Sequence, residues 1–282
     1  MILKTQSLLP DAFKVVCDKH TERSFTGQYH QHAEKGTYLC KQCGLALFRS
    51  YYKFRSDCGW PSFDAEIAGS VKQVQDVDGY RIEILCARCA AHLGHVFHGE
   101  HYTAKNTRHC VNSLSLDFVP NVEVTDTEEA IVAGGCFWGV EYYLKRLPGV
   151  LSTEVGYIGG NRDYPSYEEV CRGNTGHLEA VRVIYDPQKI TYAQLLEGFF
   201  KIHDPTQIDG QGPDKGSQYL SAIFYYDETQ QEIAQKIIGA FVQTGKKIRT
   251  QILPMRVFWP AEAYHQNYYE KTGKIPYCHR PA

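Results

Sequence analysis

Two pairs of cysteines constrain the fold of the first half of this 282-residue chain more than any other feature. Cys40 and Cys43 form one CxxC motif, and Cys86 and Cys89 form a second one after a gap of 42 residues. Each motif presents two thiolates from one tight turn, and two such turns complete the tetrahedral four-sulfur site that zinc favours. Because the gap is longer than in a compact zinc ribbon, we expect a structural Zn²⁺ that clips together a β-domain.

Two alternatives for these four cysteines are disulfide bonds and a redox-active CxxC. Structural disulfides are rare in the cytoplasm, which is the compartment we expect, since the N-terminal sequence has no apolar run of signal-peptide length. A redox function of one CxxC would leave the second pair unexplained. No run of about 18 apolar residues occurs, so we expect no membrane-spanning segment and no membrane partner.

Hydrophobic patterning divides the chain into two domains of different character. We expect an N-terminal extension over 1–20, a mainly-β domain over 21–119, a linker over 120–128 and an α/β domain over 129–282. The first domain contains short β-branched or alternating stretches, TYLC, KFRS, GYRIEILC and HCVNSLSLDFV. The second contains strand-like stretches such as LEAVRVIYD between segments of helical spacing, and Asp227 is a predicted N-cap of the last long helix.

Cys110 is the candidate nucleophile of the first domain. It lies in a predicted strand whose alternation places Arg108, Cys110 and Asn112 on one face. A neighbouring cation lowers the pKa of a thiol and so favours the nucleophilic thiolate. His92 and His95 of the HLGHVF motif could add hydrogen-bond donors. The alternative is an inert cysteine buried in a strand, a common environment for this residue.

Six segments of this domain resemble the B-type peptide methionine sulfoxide reductase family: TERSFTGQYHQH, the two CxxC motifs, CGWPSF, HLGHVF and RHCVNSLSLDF. They extend from Thr21 to Phe118 in the family's order. The resemblance implies a β-fold with a zinc site remote from the chemistry, Cys110 as the nucleophile and Cys58 as the resolving cysteine. It also implies that the substrate is the R epimer of methionine sulfoxide and that Trp60 packs on its methyl group. Four side chains are implied to surround the sulfoxide oxygen and the thiolate: His92, His95, Arg108 and Asn112.

The segment GGCFWG, residues 134–139, is the corresponding feature of the second domain. A β-branched run precedes it and a helical pattern follows, which predicts a strand-turn-helix unit with Cys136 near the helix N-terminus. Backbone N–H groups at that position favour a thiolate, and Phe137 and Trp138 would form the walls of a pocket for a small apolar group such as a methyl. The alternative is a glycine-rich turn with a buried cysteine and aromatic side chains that belong to the core.

Glu179 is the candidate acid, because it lies at the start of the apolar segment LEAVRV. Burial raises the pKa of a carboxyl group and lets it donate a proton near neutral pH. The alternative is a carboxylate at a strand end that faces water. Asp214, Tyr167 and Tyr219 are weaker candidates for hydrogen bonding or scaffolding, since the chain has 20 tyrosines and most of them must serve packing.

The second domain resembles the A-type methionine sulfoxide reductase family over roughly Glu128–Cys278. The segments that carry this resemblance are GGCFWG, GYIGG, YEEVCRGNTGHLEAVRV, HDPTQIDGQGPDKGSQYLS and AEAYHQNYY. It implies an α/β two-layer sandwich with an irregular C-terminal tail, and a preference for the S epimer. The resemblance assigns the following roles: nucleophile to Cys136, methyl pocket to Phe137 and Trp138, proton donor to Glu179, hydrogen bonds to the sulfoxide oxygen to Tyr167 and Tyr219, and support to Asp214.

The resemblance also implies a resolving cysteine in the tail, and Cys278 is the candidate. Some members of the family have a second cysteine in the tail. None follows Cys278 here, so we expect a scheme with one resolving cysteine. Cys171 competes for this role, but it lies in the structured VCRG segment, where we expect it to pack.

A B-type domain followed by an A-type domain predicts one chemistry performed twice. In each domain a thiolate attacks the sulfoxide sulfur, an acid protonates the oxygen, and methionine leaves a cysteine sulfenic acid behind, which a second cysteine converts to a disulfide. We expect thioredoxin to reduce the disulfide, free or protein-bound methionine sulfoxide to be the substrate, and no bound organic cofactor. Fusion would let one chain repair oxidative damage to both epimers.

Two other functions are compatible with part of the sequence. A zinc module that binds nucleic acid is disfavoured, because residues 1–119 carry 14 basic and 12 acidic side chains without a basic run, and the formal net charge of the chain is -2. A thiol-disulfide exchange enzyme would use both CxxC motifs for redox chemistry and would need no zinc.

Metal analysis of the purified chain separates these functions. We expect tight binding of about one zinc ion per chain, since four thiolates on two turns form one tetrahedral site. Inductively coupled plasma mass spectrometry gives the zinc content, and reduction of both epimers is measured on the same sample. A chain that is active without metal would contradict the zinc-clipped domain and favour thiol-disulfide exchange.

Overall fold

The chain divides into two units between Thr127 and Glu128, and each unit has its own hydrophobic core. The computed structural model describes residues 8–279. The division falls inside the acidic segment 120–128, and the first strand of the second unit begins directly at Glu128. The two-domain organisation predicted from the change in hydrophobic pattern is confirmed.

Antiparallel strands build most of the first unit. Its elements, in chain order, are α1 (Pro10–Val16), β1 (Gly36–Cys40), β2 (Ala46–Arg49), β3 (Lys53–Phe54), β4 (Ser62–Phe63), β5 (Val71–Gln75), β6 (Ile82–Cys86), β7 (His92–His98), β8 (Thr107–Val111) and β9 (Leu116–Pro120). They form a three-stranded sheet in the order β2-β1-β9 and a six-stranded sheet in the order β3-β4-β8-β7-β6-β5. Strand β8 therefore has a neighbour on each side, and its side chains are held in a fixed register.

Residues 8–20, expected to be an extension, contribute to the core of the first unit. Leu8, just before α1, and Ala12 and Val16 within it recur at four-residue spacing, and all three are buried in that core. Beyond the helix, Lys19 forms an ion pair with Glu83, with Nζ and Oε2 2.8 Å apart. A helix of seven residues gives too short a periodic pattern to be distinguished from a tail in the sequence.

The second unit alternates strands and helices. Its elements are β10 (Glu128–Gly134), α2 (Phe137–Leu144), β11 (Val150–Ile158), α3 (Tyr167–Cys171), β12 (Leu178–Tyr185), α4 (Tyr192–Ile202), β13 (Gly210–Gln211), β14 (Asp214–Lys215), β15 (Ser221–Tyr225), α5 (Glu228–Gln243), β16 (Gln251–Pro254), β17 (Trp259–Pro260) and α6 (Tyr268–Thr272). Six strands form one sheet in the order β16-β15-β10-β12-β11-β17, and β13 pairs with β14. The β15–β16 pair is parallel and the other pairs are antiparallel.

The central strands of this sheet are buried on both faces. Along β10, Ala130 and Val132 belong to one apolar cluster, whereas Ile131 and Ala133 belong to another, as expected for side chains that alternate across a sheet. The first cluster includes apolar side chains of α2, α4 and α5, so these helices cover that face. The end of β10 and the start of α2 therefore lie at a rigid edge of the core.

Side-chain caps begin the longer helices of the second unit. Asp227 accepts a hydrogen bond from the Gln230 N–H at 2.9 Å at the start of α5, as predicted. Thr191 accepts from the Gln194 N–H at 3.2 Å at the start of α4. Within residues 8–279, no helix is both long and apolar enough to cross a bilayer.

Leu8→Ala tests whether the N-terminal segment belongs to the folded first unit. Leu8 is 3% exposed, so truncation removes buried methyl groups, and we expect the free energy of unfolding of this unit to fall by about 2–4 kcal/mol. Leu9→Ala is the matched control, because the Leu9 side chain is 73% exposed and its truncation should cost less than about 0.5 kcal/mol. Hydrogen exchange of peptides from the first unit, followed in a urea series, measures both. Equal effects of the two variants would show that the segment is a detached extension.

Candidate active sites

The four cysteines of the CxxC motifs meet in one cluster. Strand β1 ends at Cys40 and β6 ends at Cys86, and the turn after each strand carries the second cysteine, Cys43 or Cys89. The Sγ atoms of Cys40 and Cys89 are 3.6 Å apart, as are those of Cys43 and Cys86, and all four lie within 4.8 Å of one another. A tetrahedral zinc ion with Zn–S bonds of about 2.3 Å requires sulfur–sulfur distances of about 3.8 Å. The donor set and its spacing are therefore compatible with zinc.

A second sulfur pair in the first unit is formed by Cys58 and Cys110. Cys110 lies in β8 directly opposite Ser62 of β4, and Cys58 lies in the turn that leads into β4. The two Sγ atoms are 3.8 Å apart, and Ser56 Oγ is 3.0 Å from the Sγ of Cys58. A small movement brings the sulfurs to the bond length of a disulfide, about 2.05 Å.

The pKa shifts of Cys58 and Cys110 differ from the lowered Cys110 pKa that Arg108 alone would give. The hydrogen bond between the two sulfurs lowers the pKa of Cys58 to about 4, and the same bond together with burial raises the pKa of Cys110. Arg108 does lower the pKa of Cys110, but the neighbouring sulfur outweighs it. The two thiols share one proton, so the negative charge of the resting pair lies mainly on Cys58.

Arg108 is held in place by the carboxylate of Glu100, a residue that no sequence pattern predicted to be part of the site. Its Nε donates to Glu100 Oε2 at 2.7 Å, and its Nη2 donates to Oε1 at 2.8 Å. The guanidinium carbon lies 4.5 Å from the centre of the Phe97 ring. Its third nitrogen, Nη1, is buried and has no hydrogen-bond partner within the described part of the chain. This bidentate arrangement leaves one guanidinium nitrogen free to bind an anion or a sulfoxide oxygen.

Trp60 and Asn112 are both tied to the loop that precedes β1. The Trp60 indole N–H donates to Glu22 O at 3.0 Å. The Asn112 amide accepts from Glu22 N at 3.0 Å and donates to Leu93 O at 3.1 Å. A cleft of about 560 Å³ runs beside Trp60. Aromatic and charged side chains line it, including Phe25, Lys53 and Arg55.

His92 and His95 come together because of an irregularity in the sheet. His95 lies directly opposite Cys110 in the β7–β8 ladder. Strict alternation would place residues three apart on opposite faces, but a bulge in the β6–β7 ladder brings the two rings to 5.6 Å between centroids. His92 Nδ1 is 2.6 Å from a carboxylate oxygen of Glu83, and His95 Nε2 is 2.5 Å from one of Asp76. Two carboxylates without a sequence signal therefore orient the two imidazoles.

In the second unit, Cys136 occupies the junction between a strand and a helix. Strand β10 ends at Gly134, and Gly135 makes the turn with φ +97°, a conformation that favours glycine. Cys136 is the N-cap residue of α2 and is 6% exposed. The predicted strand-turn-helix unit is confirmed.

The two aromatic residues after Cys136 have different environments. Phe137 is buried, whereas Trp138 is only partly buried and stacks on Tyr268 with ring centroids 3.7 Å apart. His265 lies beside both rings and accepts a hydrogen bond from the Trp138 indole N–H at 3.0 Å. Phe137 thus belongs to the core, and Trp138 presents an indole ring that His265 and Tyr268 hold in place.

Glu179 faces the start of α2. Its side chain is 1% exposed, and Oε2 accepts from the Phe137 N–H at 3.0 Å. Burial raises the pKa of Glu179 to about 8, and the charges of Asp214 and Cys278 add to the rise. The alternative of a water-facing carboxylate is excluded, and the carboxyl group is protonated at neutral pH.

The C-terminal tail brings Cys278 to Cys136. The two Sγ atoms and a carboxylate oxygen of Asp214 lie within 4.8 Å of one another, and the Tyr277 hydroxyl donates to Asp214 Oδ1 at 3.0 Å. The hydrogen bond with Cys136 lowers the pKa of Cys278 to about 6, helped by His279, whereas that bond and burial raise the pKa of Cys136. A backbone N–H at the helix start lowers the pKa of Cys136 only partly. As in the first unit, the resting charge lies mainly on the sulfur expected to resolve.

Tyr167 and Tyr219 lie close to Glu179. Burial and the Glu179 charge raise the pKa of both hydroxyl groups. Tyr167 begins α3, and its backbone N–H donates to Glu262 Oε1 at 2.9 Å. Cys171 ends the same helix, hydrogen-bonds with Tyr167 and is exposed. The packing role expected for Cys171 is therefore wrong, because its side chain faces solvent.

Sequence reasoning missed the residues that hold the candidate catalytic groups. Several of them lie in segments that carried the family resemblance, but no pattern assigned them a partner. Their contacts depend on pairings between distant strands and loops, which local spacing does not reveal. The missed residues are Glu22, Asp76, Glu83 and Glu100 in the first unit, and Glu262, His265, Tyr268 and His279 in the second.

Comparison with protein families identifies both units. The SelR domain model matches residues 8–120, and the peptide methionine sulfoxide reductase model matches residues 128–282. The chain belongs to the peptide methionine sulfoxide reductase family. This reductase carries a SelR domain, the B-type, ahead of its A-type domain, in the order that the motifs predicted. Both domains are oxidoreductases that reduce methionine sulfoxide.

Individual relatives match the A-type domain of this reductase. The peptide methionine sulfoxide reductase MsrA of Nautilia profundicola is 47% identical over 150 residues, which cover 53% of this chain and 87% of that protein. MsrA of Thermus thermophilus is 49% identical over 152 residues, which cover 54% and 86% respectively. Among solved structures, reduced Mxr1 of Saccharomyces cerevisiae is 37% identical with a TM-score of 0.52, and the match covers 55% of this chain and 92% of that one.

Glu179→Gln tests the buried acid of the A-type domain. With a pKa raised to about 8, the carboxyl group holds its proton below that pH and loses it above. Reduction of the S epimer should therefore be steady at about pH 6–7 and fall as the pH rises through about 8. The glutamine variant should be slower by about 100-fold or more and should lack this fall. Initial rates from about pH 6 to 9.5 measure both, with the R epimer as the internal control. Wild-type rates in the variant would exclude Glu179 as the donor.

Proposed function

We propose that the chain is a bifunctional methionine sulfoxide reductase in which each domain reduces one epimer. The SelR domain acts on the R epimer and the A-type domain on the S epimer, since the two epimers require different enzymes. The observation that carries the proposal is that each domain has its own sulfur pair, Cys58 with Cys110 and Cys136 with Cys278, next to groups able to move a proton. We place the start of the SelR domain at α1 rather than at residue 21, because that helix packs in its core.

In the A-type domain, Cys136 attacks the sulfoxide sulfur. Transfer of the pair's shared proton to Cys278 frees the Cys136 thiolate, which the backbone N–H groups at the start of α2 stabilise. The buried carboxyl group of Glu179 donates its proton to the oxygen as the sulfur–oxygen bond breaks. The oxygen, as water, then adds to the Cys136 sulfur and gives up a proton. The transient bond between this sulfur and the substrate sulfur breaks, methionine leaves with that electron pair, and Cys136 remains as a sulfenic acid.

Aromatic and polar side chains position the sulfoxide at this site. The partly buried Trp138 forms the apolar wall that contacts the substrate methyl group, and Phe137 supports this wall from the core. Tyr167 and Tyr219 keep their protons at neutral pH and hydrogen-bond the sulfoxide oxygen, since burial raises the pKa of both. Asp214 lies beside the sulfur pair and supports the site by accepting a hydrogen bond from Tyr277 of the tail.

In the SelR domain, Cys110 is the nucleophile and Cys58 resolves the sulfenic acid. The proton of the sulfur pair moves to Cys58 when Cys110 attacks, and Arg108, held by its carboxylate, stabilises the thiolate. His95 lies opposite the nucleophile and His92 lies beside His95, and this pair of imidazoles delivers the proton to the departing oxygen. Two further side chains position the substrate, Trp60 at its methyl group and Asn112 at its oxygen.

A structural zinc ion fits the first unit. Cys40, Cys43, Cys86 and Cys89 would hold it, because their sulfurs have tetrahedral spacing. A bound ion supplies folding free energy by joining the ends of β1 and β6, which are 46 residues apart in the sequence. None of the proposed reaction steps needs the metal, so its role is to stabilise a zinc-clipped β-domain.

Each catalytic cycle ends with a disulfide that an external dithiol must reduce. We propose thioredoxin as this reductant, because a dithiol protein exchanges with a strained or exposed disulfide without a bound cofactor. Cys278 lies in the C-terminal tail and is partly exposed, next to the 57% exposed Tyr277, so a reductant can approach this segment. The free thiols and the four-cysteine cluster favour a reducing compartment such as the cytoplasm. Free or protein-bound methionine sulfoxide is the substrate.

An epimer-resolved assay of two nucleophile variants tests the proposal. Cys136→Ser should lower reduction of the S epimer by at least about a thousandfold and spare the R epimer, and Cys110→Ser should do the reverse. Cys17→Ser is the control, because this cysteine packs at the edge of the first core and has no role in the proposed chemistry, so the variant should retain both activities. Chromatography of the product methionine after reaction with each pure epimer gives the rates. Loss of both activities from either nucleophile variant would contradict the two-site scheme.

A further inference from the structure

His279 anchors the C-terminal tail beside the turn that carries Cys136. Its side chain is 1% exposed. Its ring nitrogen Nε2 lies 2.7 Å from the carbonyl oxygen of Gly134, and its own carbonyl oxygen accepts from the Tyr143 hydroxyl at 3.3 Å. Two contacts therefore fix both the ring and the backbone of this residue at the start of α2.

These contacts determine which imidazole nitrogen carries the proton. A carbonyl oxygen only accepts, so Nε2 of His279 must be the donor to Gly134. In the neutral ring, the other nitrogen, Nδ1, then has a free lone pair. That nitrogen lies 3.0 Å from the Sγ of Cys278. The tail thus presents a proton acceptor to the thiol of its own neighbouring residue.

Gly139 makes room for this ring. A Cβ atom at position 139 would lie 2.2 Å from Nδ1 of His279, closer than any real contact. Glycine inside a helix costs about 0.5–1 kcal/mol relative to alanine, and α2 carries that cost in the turn that follows Cys136. The lack of a side chain at position 139 therefore leaves space on the surface of α2 for the imidazole ring of His279.

We infer that Nδ1 of His279 is the general base that takes the proton of Cys278 when this thiol attacks the sulfenic acid on Cys136. The Cys278 sulfur supplies the electron pair of the new sulfur–sulfur bond. The sulfur–oxygen bond of the sulfenic acid breaks with its electrons, and the departing hydroxide takes a proton to become water. The imidazolium returns the proton to this hydroxide or to solvent. This inference rests on the proposed reduction of the S epimer at Cys136.

The base matters most after the first chemical step. In the reduced enzyme, the Cys136 sulfur helps to ionise Cys278 through the hydrogen bond between them. Once Cys136 is a sulfenic acid, its sulfur no longer shares a proton with Cys278. His279 is then the contact that still favours the Cys278 thiolate. Its contribution should therefore appear in disulfide formation and not in the release of methionine.

Other titratable groups face this pair and must be kept constant in a test. Cys136, Asp214 and Glu179 lie around Cys278 and interact with its charge. His203 faces His279, but burial lowers the pKa of His203 to about 4, so it stays neutral above pH 5. Since none of these groups changes in a variant of His279, a comparison of pH profiles isolates the imidazole.

His279→Gln is the informative variant. A glutamine amide can occupy the position of Nε2 and donate to Gly134 O, but it has no base at the position of Nδ1. After one equivalent of the S epimer is added to the reduced chain, methionine release should match that of wild type. Formation of the Cys136–Cys278 disulfide should slow by about tenfold or more at pH 6.5 and by a much smaller factor near pH 9, where an ordinary thiol ionises unaided. Trapping the sulfenic acid with dimedone, with peptide mapping by mass spectrometry, follows the intermediate and the disulfide.

Tyr143→Phe is the matched control, because it removes a hydrogen bond to the His279 backbone and leaves the imidazole in place. Its disulfide formation should keep the pH dependence of wild type. The inference about His279 is overturned if the glutamine variant forms the disulfide at wild-type rates at every pH, or if it loses the first release of methionine. Failure of the proposed function looks different, since wild type itself would then release no methionine from the S epimer.

Discussion

In each unit, two sulfur atoms from distant parts of the sequence are held close together at a partly buried site. The Cys58 and Cys110 sulfurs are 3.8 Å apart, and those of Cys136 and Cys278 lie within 4.8 Å of each other. One proton shared by two sulfurs produces a thiolate that burial alone would forbid. The turns, caps and glycines around these pairs serve to hold that distance, and the catalytic proposals depend on it.

The two domains surround similar sulfur pairs with different acids. In the proposed mechanism, the A-type domain uses a single carboxyl group, Glu179, whose pKa burial raises to about 8. The SelR domain instead has two imidazoles, His92 and His95, each oriented by a carboxylate. Since substrate epimers differ only in the positions of oxygen and lone pair on sulfur, the direction from which the proton arrives is a physical basis for their discrimination.

Local sequence signals predicted the elements whose causes are local. The CxxC pairs indicated the four-sulfur cluster, and GGCFWG indicated the junction of β10 and α2. The apolar surroundings of Glu179 likewise predicted a buried carboxyl group. Effects that need tertiary contacts were out of reach: the sign of the pKa change at Cys110 depends on Cys58, which is 52 residues away in the sequence. The bulge that brings His92 and His95 together also depends on contacts between residues distant in the sequence, as does the packing of α1. Local patterns therefore did not predict them.

The order of the cysteines along the chain differs between the two domains. In the SelR domain the proposed resolving cysteine, Cys58, precedes the proposed nucleophile, Cys110, whereas in the A-type domain the proposed nucleophile, Cys136, precedes Cys278 by 142 residues. A ribosome adds about 5–20 residues per second, so a nascent chain carries Cys136 for roughly 7–30 seconds before its partner is made. Under the proposed roles, the nascent SelR domain already contains Cys58 when Cys110 is added. The A-type domain lacks its proposed resolving cysteine throughout that interval, so a sulfenic acid formed on Cys136 would then have no Cys278 to convert it to a disulfide.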